Sequence, residues 1–226
     1  MKDIIIDELI RTKRRTVSLT ITNDAKLVVR APLRLPLKDI EKLILEKMSW
    51  IINKKSLVLE RLNQTQAFID QKGERYFFLG EPHILVMQDK VKTITCEDGV
   101  LLFPSMYQDR VDMMIKKWYQ NQAKTFLPKR LAEIASQKGI SYQSCRITSA
   151  RKRWGSCNVK NNINLSWRLI MANQRAIDYV LIHELCHVIH KNHSKDFWNK
   201  VREIMPDFAV HRKWLKDHVF ILDVFE

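Results

Sequence analysis

A short apolar segment that carries two histidines and a glutamate is the strongest constraint in the sequence. Residues 180–185 hold His183 and Glu184 among four apolar residues, and His187 follows directly. A segment this apolar predicts a buried helix, where a histidine or glutamate without a partner or ligand is costly. The pattern HELCH therefore indicates that these polar side chains meet a ligand.

The spacing within this segment suits a metal ion. His183 and His187 are four residues apart, which places both side chains on one face of a helix. Two imidazoles in that relation reach one Zn²⁺ at about 2.0–2.1 Å each. Glu184 is rotated by about 100° around the helix axis, so we expect it to deprotonate the attacking water. The competing interpretation, a surface helix with incidental histidines, conflicts with the apolar neighbours.

A catalytic zinc site needs a third protein ligand, and His193 is the candidate. For His193 to reach the ion the chain must leave the helix and turn back. We expect Asn192 to adopt the left-handed conformation in that turn, and Ser194 to begin the next helix. His190 is a rival ligand by spacing, and we expect it to be an outer partner or solvent-exposed.

The rest of the chain predicts an α+β protein. We expect a strand-rich lobe over residues 1–105, with one helix, and a second domain over residues 106–226 that contains the motif. Period-two alternation indicates a hairpin in the first lobe, and helical spacing marks its helix. A long helical pattern in the second domain contains Pro128, which is expected to kink or divide it. These segments are 17–22 and 26–32 for the hairpin, 37–62 for the helix and 108–137 for the long pattern.

The composition of the chain says more about the cellular compartment of the protein than about its chemistry. The 226 residues contain no apolar run of the roughly 18–20 residues that span a bilayer, so no membrane partner is expected. The start carries acids and lacks an apolar stretch of signal-peptide length. Four cysteines lie too far apart for a CxxC knuckle and predict reduced thiols. We therefore expect a cytoplasmic protein, with its oligomeric state left open.

The net charge of +14 leaves two interpretations open. It could attract nucleic acid or acidic substrates, or it could simply keep the protein soluble. Two clusters are the first candidates for a nucleic-acid surface. They are Arg11, Lys13, Arg14 and Arg15, and then Arg151, Lys152 and Arg153.

Several segments together resemble one protein family. The stretches RWGSCN (153–158), NINLSWRLI (162–170) and HELCHVIHKNHSKDFW (183–198), with shorter matches elsewhere, are similar to the YgjP-like metallopeptidases, relatives of the SprT-like and WLM metalloproteases. The resemblance implies a zincin-like domain and a peptide or protein substrate. It carries His183, His187 and His193 over as zinc ligands and Glu184 as the catalytic residue.

The resemblance also suggests an alternative function. SprT-like and WLM proteases act on proteins bound to DNA, so a DNA-associated protein, either a binding module or a DNA–protein crosslink protease, is the second hypothesis. A zinc hydrolase of a non-peptide amide is a third. The ligand spacing matches the metzincin pattern too, but His190 stands where that pattern requires glycine, which counts against membership.

Substrate binding is expected beside the metal. We hypothesise that residues 162–167 form an edge strand to which a peptide could add, and that Asn164 contacts it. Trp154 would border the cleft, and Gly155 would allow a close backbone approach. Arg153 could bind a substrate carboxylate or stabilise the oxyanion. In the opposing interpretation Trp154 and Trp167 are core residues, and Arg153 is a surface charge.

Overall fold

The computed structural model describes residues 6–22, 24–70 and 76–225, and it confirms an α+β fold. Its described residues form six α-helices and three small β-sheets. They divide into two compact units, Met1–Ala67 and Phe68–Glu226. No helix in the described ranges is long and apolar enough to cross a membrane. The domain boundary at 105/106 stays a prediction, but Tyr76, Leu101 and Phe103 join the core of the second unit.

The first unit is a three-stranded sheet with two helices. Strands β1 (Glu8–Thr12), β2 (Ser18–Ile21) and β3 (Leu27–Pro32) have the order β1-β3-β2. The antiparallel β2–β3 pair confirms the predicted hairpin, of whose turn Asn23 lies outside the described residues. The predicted single helix is two, α1 (Leu37–Glu46) and α2 (Met48–Asp70). Apolar residues of β3 and the helices form its core: Leu27, Val29, Ala31, Ile40, Ile44 and Ile51.

The second unit begins with a four-stranded sheet and a long helix. The order is β4-β5-β7-β6, and α3 follows and covers the core. Helix α3 passes through Pro128 undivided, and Gly139 ends it with a φ of 63° in the left-handed region. The elements are β4 (Tyr76–Phe78), β5 (Glu81–Gln88), β6 (Thr95–Glu97), β7 (Val100–Pro104) and α3 (Val111–Lys138).

A second sheet in this unit lies against the motif helix. It contains β8 (Ser144–Thr148), β9 (Gly155–Cys157) and β10 (Asn162–Ser166) in the order β8-β10-β9. The hypothesis that residues 162–167 form an edge strand is wrong, because β10 pairs with β8 on one side and β9 on the other. The edge strands are β8 and β9, and β9 is the one that contacts the motif helix.

Three helices complete the unit: α4 (Gln174–Ile189), α5 (Lys195–Ile204) and α6 (Phe208–Asp217). The side chain of Asn173 caps α4 by accepting a hydrogen bond from the Ala176 N–H at 2.8 Å. Ser194 caps α5 in the same way, as predicted, with the Phe197 N–H at 3.4 Å. Helix α4 is buried along most of its length, so Glu184 lies in the protein interior, while His183 and His187 are half-buried.

Candidate active site

Three histidines converge at the C-terminal end of α4. The Nε2 atom of His193 lies 3.1 Å from Nε2 of His187 and 3.1 Å from Nε2 of His183. Two nitrogens that bind one tetrahedral ion at 2.0–2.1 Å are separated by about 3.3 Å. In the described parts of the chain, these three residues are the group whose ligand atoms are close enough to share an ion. The predicted ligand set is therefore brought together.

The turn that brings His193 back differs from the predicted one. Asn192 is not among the described residues with a positive φ, so the left-handed conformation expected there is wrong. The helix ends instead at His190, whose extended backbone (φ −120°, ψ 104°) still donates its N–H to the Cys186 carbonyl. The extended backbone of His190 redirects the chain, so no left-handed residue is needed there. Ser194 caps α5 only four residues later.

His190 contacts the histidine triad (His183, His187 and His193) through its backbone. The Nδ1 atom of His187 lies 3.1 Å from the His190 carbonyl oxygen, to which it can donate a hydrogen bond. That bond selects the tautomer with an unprotonated Nε2, the atom that faces the other two histidines. The expectation that His190 is an outer partner thus has a structural basis, although the contact uses the main chain and not the imidazole.

Burial keeps His183 and His187 in the form that binds a metal. Burial, with His187, His193 and Arg212 nearby, lowers the pKa of His183 to about 3. Burial also lowers the pKa of His187, against the opposing hydrogen bond to the His190 carbonyl. Both imidazoles are therefore neutral near pH 7, as metal ligands must be. The donor set and its protonation fit a divalent ion of the zinc type.

Aromatic side chains of α5 hold the imidazoles in place. Phe197 stacks on His187, with ring centres 4.5 Å apart, and meets the other two histidines edge-on. Trp198 stacks on His193 at 5.6 Å. The sequence assigned neither residue a role at the site. The sequence feature that could have identified them is their place in the first turn of α5. That turn begins next to His193 and therefore lies close to the triad.

Glu184 is a buried carboxylate without a partner. Its side chain is 4% exposed, and its Oε2 atom has no hydrogen-bond partner among the described residues. Burial raises the pKa of Glu184 to about 8, although Arg153 opposes the shift. An isolated buried carboxyl group is destabilising and is retained where a ligand or substrate completes it.

Gly155 makes room for Glu184. A Cβ atom at residue 155 would lie 2.7 Å from Oε1 and 2.9 Å from Cγ of Glu184. Real Cβ contacts are longer than this, so any side chain at residue 155 would displace the carboxylate. The sequence predicted a close backbone approach at this glycine, and the group that approaches is Glu184. Strand β9 therefore lies directly against the motif.

The outer edge of β9 offers backbone hydrogen bonds. Ser156 pairs with Asn164, and Trp154 O accepts a bond from Ser166 N at 2.8 Å. In an antiparallel ladder the alternate residues point their N–H and C=O groups the other way. Gly155 and Cys157 therefore direct theirs away from β10, next to Glu184, which is where an extended peptide could pair.

The family comparison agrees with this geometry. The YgjP-like family, described as a metallopeptidase domain, matches residues 15–218. The chain belongs to the YgjP-like metallopeptidase family. This confirms the predicted resemblance, and membership implies a metal-dependent hydrolase that acts on a peptide or protein substrate.

Two further comparisons add less. No curated protein matches the chain. One similar solved structure is the crystal structure of the metallopeptidase zymogen of Pyrococcus abyssi abylysin, with 21% sequence identity and a TM-score of 0.37. The match covers 40% of the present chain and 91% of that one.

The predicted substrate residues of this YgjP-like domain border two cavities beside β9. Trp154 and the exposed Arg153 line a cavity of about 390 Å³ together with His183 and Glu184. Asn164 faces away from α4, because Gly155 and its partner Leu165 occupy the face toward it. Asn164 lines a separate cavity of about 300 Å³, which Arg153 and Trp154 also border.

The two interpretations of the tryptophans both find support. Trp167 is fully buried, which confirms it as a core residue. Trp154 is partly buried, packs against the core and still lines the larger cavity. Roles for Arg153, Trp154 and Asn164 in binding substrate stay predictions. Sequence reasoning did not find Arg212 and Lys216 of α6, which line the same cavity.

Two arginines of the N-terminal basic cluster of this YgjP-like chain form hydrogen bonds within the first unit. Arg11 donates from Nη1 to the carbonyl oxygens of Pro32 and Leu35, and Arg14 donates to the Ser18 hydroxyl at 2.8 Å. Both guanidinium groups thus stabilise the first unit itself. Association with nucleic acid stays a prediction.

Proposed function

We propose that the protein is a zinc-dependent metallopeptidase in which His183, His187 and His193 hold the ion and Glu184 is the general base. The observation that carries the proposal is the convergence of three Nε2 atoms beside a buried carboxylate with an unpartnered oxygen. Three imidazoles leave one coordination position for water, which is the arrangement of catalytic zinc sites. Zinc is favoured over harder ions because all three donors are imidazole nitrogens.

The chain's own residues supply the acid–base chemistry. A bound zinc ion would polarise the scissile carbonyl and increase the acidity of water. Glu184 takes the proton from the attacking water and passes it to the leaving amine, and burial strengthens both interactions. Gly155 and Cys157 of β9 bind the substrate main chain as an added strand, which aligns the peptide along the triad.

Metal content tests the ligand assignment. We expect the purified protein to hold one zinc per chain, and His193→Ala to lower zinc affinity by at least about 100-fold, the upper end of the loss from an outer partner. His211→Ala is the matched control, because His211 bonds Asp207 at 3.0 Å and is outside the triad. Equal zinc retention in both variants would contradict the assignment.

Cleavage tests the chemistry. Zinc-loaded wild type should cleave unfolded casein, and Glu184→Gln should bind zinc without cleaving. A Glu184→Gln variant as active as wild type would remove Glu184 as the base. If only substrates crosslinked to DNA are cleaved, the DNA-associated alternative is the better description.

The proposed compartment is the cytoplasm. The four cysteines are free thiols in the structure, which suits a reducing compartment. Fractionation of cells that produce the tagged protein would test this.

A further inference from the structure

The cavity of about 390 Å³ next to the triad has a mixed lining. His183 and Glu184 of α4 form one side, so a side chain that entered the cavity would lie beside the reacting groups. The rest of the wall comes from α4, α6, the segment before β9 and the turn after α6, and it is mainly apolar: Trp154, Tyr179, Val180, Leu215 and Val219. Apolar walls lower the local dielectric and strengthen any charge interaction inside.

Three cations from two segments of the chain line this cavity. Arg153 comes from the turn before β9, and Arg212 and Lys216 come from α6. The two α6 residues are four apart and therefore share one helix face, and all three cations are exposed to solvent. Among the described residues, Glu184 is the one acid in the lining, and none of the three cations forms an ion pair.

Arg212 is held beside the triad. Its guanidinium carbon lies 4.7 Å from the centre of the Trp198 ring, a cation–π contact. Trp198 in turn stacks on His193 and, at 5.6 Å, on Phe208. The positive charge is thus anchored by the same aromatic layer that orients a ligand. Arg212 also contributes, after burial and the two other histidines, to the lowered pKa of His183.

We infer that this cavity binds a carboxylate of the substrate next to the scissile bond. Arg153, Arg212 and Lys216 give the enzyme a preference for peptides that carry a negative charge there. The inference rests on the proposed peptidase function and names its substrate class. An acidic side chain and a free C-terminal carboxylate present the same chemistry, so both are possible sources. A lysine at that position would be repelled by three unpaired cations.

Binding to a non-cleaving variant separates this inference from catalysis. The probe is a set of labelled peptides on zinc-loaded Glu184→Gln: an all-Gln peptide with an amidated end, the same peptide with Glu scanned through each position, and one with a free C-terminus. We expect one carboxylate position to bind about tenfold more tightly, the worth of a charged hydrogen bond. A gain with scanned Glu indicates a side chain, and a gain with the free end alone indicates a carboxypeptidase-like site.

Matched variants assign the effect to the cavity. In the Glu184→Gln background, Arg212→Gln should abolish most of the tenfold preference, and Arg212→Glu should favour Lys over Glu in the scanned peptide. Lys213→Gln is the control, because this neighbour is exposed, pairs with Asp217 and does not line the cavity. Unchanged melting temperatures would establish that the variants fold.

The outcomes distinguish the two ideas. If Arg212→Gln and Lys213→Gln keep the same preference as their parent, or if no carboxylate position binds more tightly, the inference is wrong. If the preference depends on Arg212 but zinc-loaded wild type cleaves none of the peptides, the cavity binds carboxylates and the proposed peptidase function fails. Cleavage without carboxylate preference would leave the peptidase and remove the specificity.

Discussion

Helix α4 contains two buried carboxylates in opposite environments. Asp178, 8% exposed, receives two hydrogen bonds from Arg130 of α3, Nε to Oδ1 and Nη2 to Oδ2, each 2.8 Å long. Glu184, 4% exposed and six residues later, has an oxygen with no partner among the described residues. The bidentate contact with Asp178 raises the pKa of Arg130, whereas burial raises the pKa of Glu184 to about 8.

The difference between Asp178 and Glu184 shows how a structural carboxylate can be distinguished from a candidate functional one in the same helix. A buried carboxylate with a bidentate arginine is satisfied within the fold and ties α3 to α4. A buried carboxylate without a partner destabilises the fold, and the proposed water and substrate would complete it. A carboxylate therefore contributes to stability at Asp178, and in the proposed mechanism it takes part in the reaction at Glu184.

The largest effect is expected from Glu184→Gln. Loss of the general base should lower kcat by about 100- to 10,000-fold, while the melting temperature stays the same or rises because a buried acid is removed. Steady-state kinetics and thermal unfolding of the zinc-loaded protein would measure both. Glu203→Gln, on the exposed surface of α5, is the matched control. A large loss of stability in Glu184→Gln would break the comparison.

Asp178→Asn should lower the stability of the protein and leave its activity unchanged, which is the opposite of the result expected for Glu184→Gln. We expect a loss of about 1.5 kcal/mol in the free energy of unfolding, because the change removes the charge from the bidentate pair while the partly exposed Arg130 keeps its contact with Glu133, and kcat is unchanged. Denaturant unfolding would measure the loss. The double variant Arg130→Met, Asp178→Leu should lose less than the single one. A reduced kcat at full zinc occupancy would show that Asp178 also serves the site.

Gly155→Ala should sharpen the Glu184 side of the comparison. The added methyl group would lie within 3 Å of three Glu184 atoms, so the carboxylate must move. We expect kcat to fall by about 10- to 100-fold with zinc retained, since a misplaced group costs about that much. Ser156→Ala, next along β9 but on the opposite face, is the control. Equal kcat values would mean that Glu184 tolerates displacement.

Features fixed by local spacing were predicted correctly. The four-residue separation of His183 and His187 sets their common helix face, and the cap at Ser194 follows from side-chain chemistry beside a helix start. The approach of His193 was also predicted, but its route was not. The turn depends on how α5 packs its aromatic residues against the imidazoles, and that contact is not encoded in Asn192.

Features made by distant contacts were missed or misplaced. The sequence put the edge strand at residues 162–167, because alternation reveals a strand but not its neighbours. It could not bring Arg212 to His183 or Arg130 to Asp178, since these pairs lie in different helices. It noted the freedom of Gly155 without showing that Glu184 occupies the space.

The sequence by itself determined the α+β class and predicted which histidines come together and which carboxylate would act as the base, because helical periodicity and donor chemistry act over a few residues. The tertiary structure decided which strand edge faces the triad, which carboxylate is paired and which cations line the cavity. These depend on packing between segments far apart in the chain, where a single residue spacing carries no information. Asp178 and Glu184 look alike in the sequence, and their neighbours in space make them different.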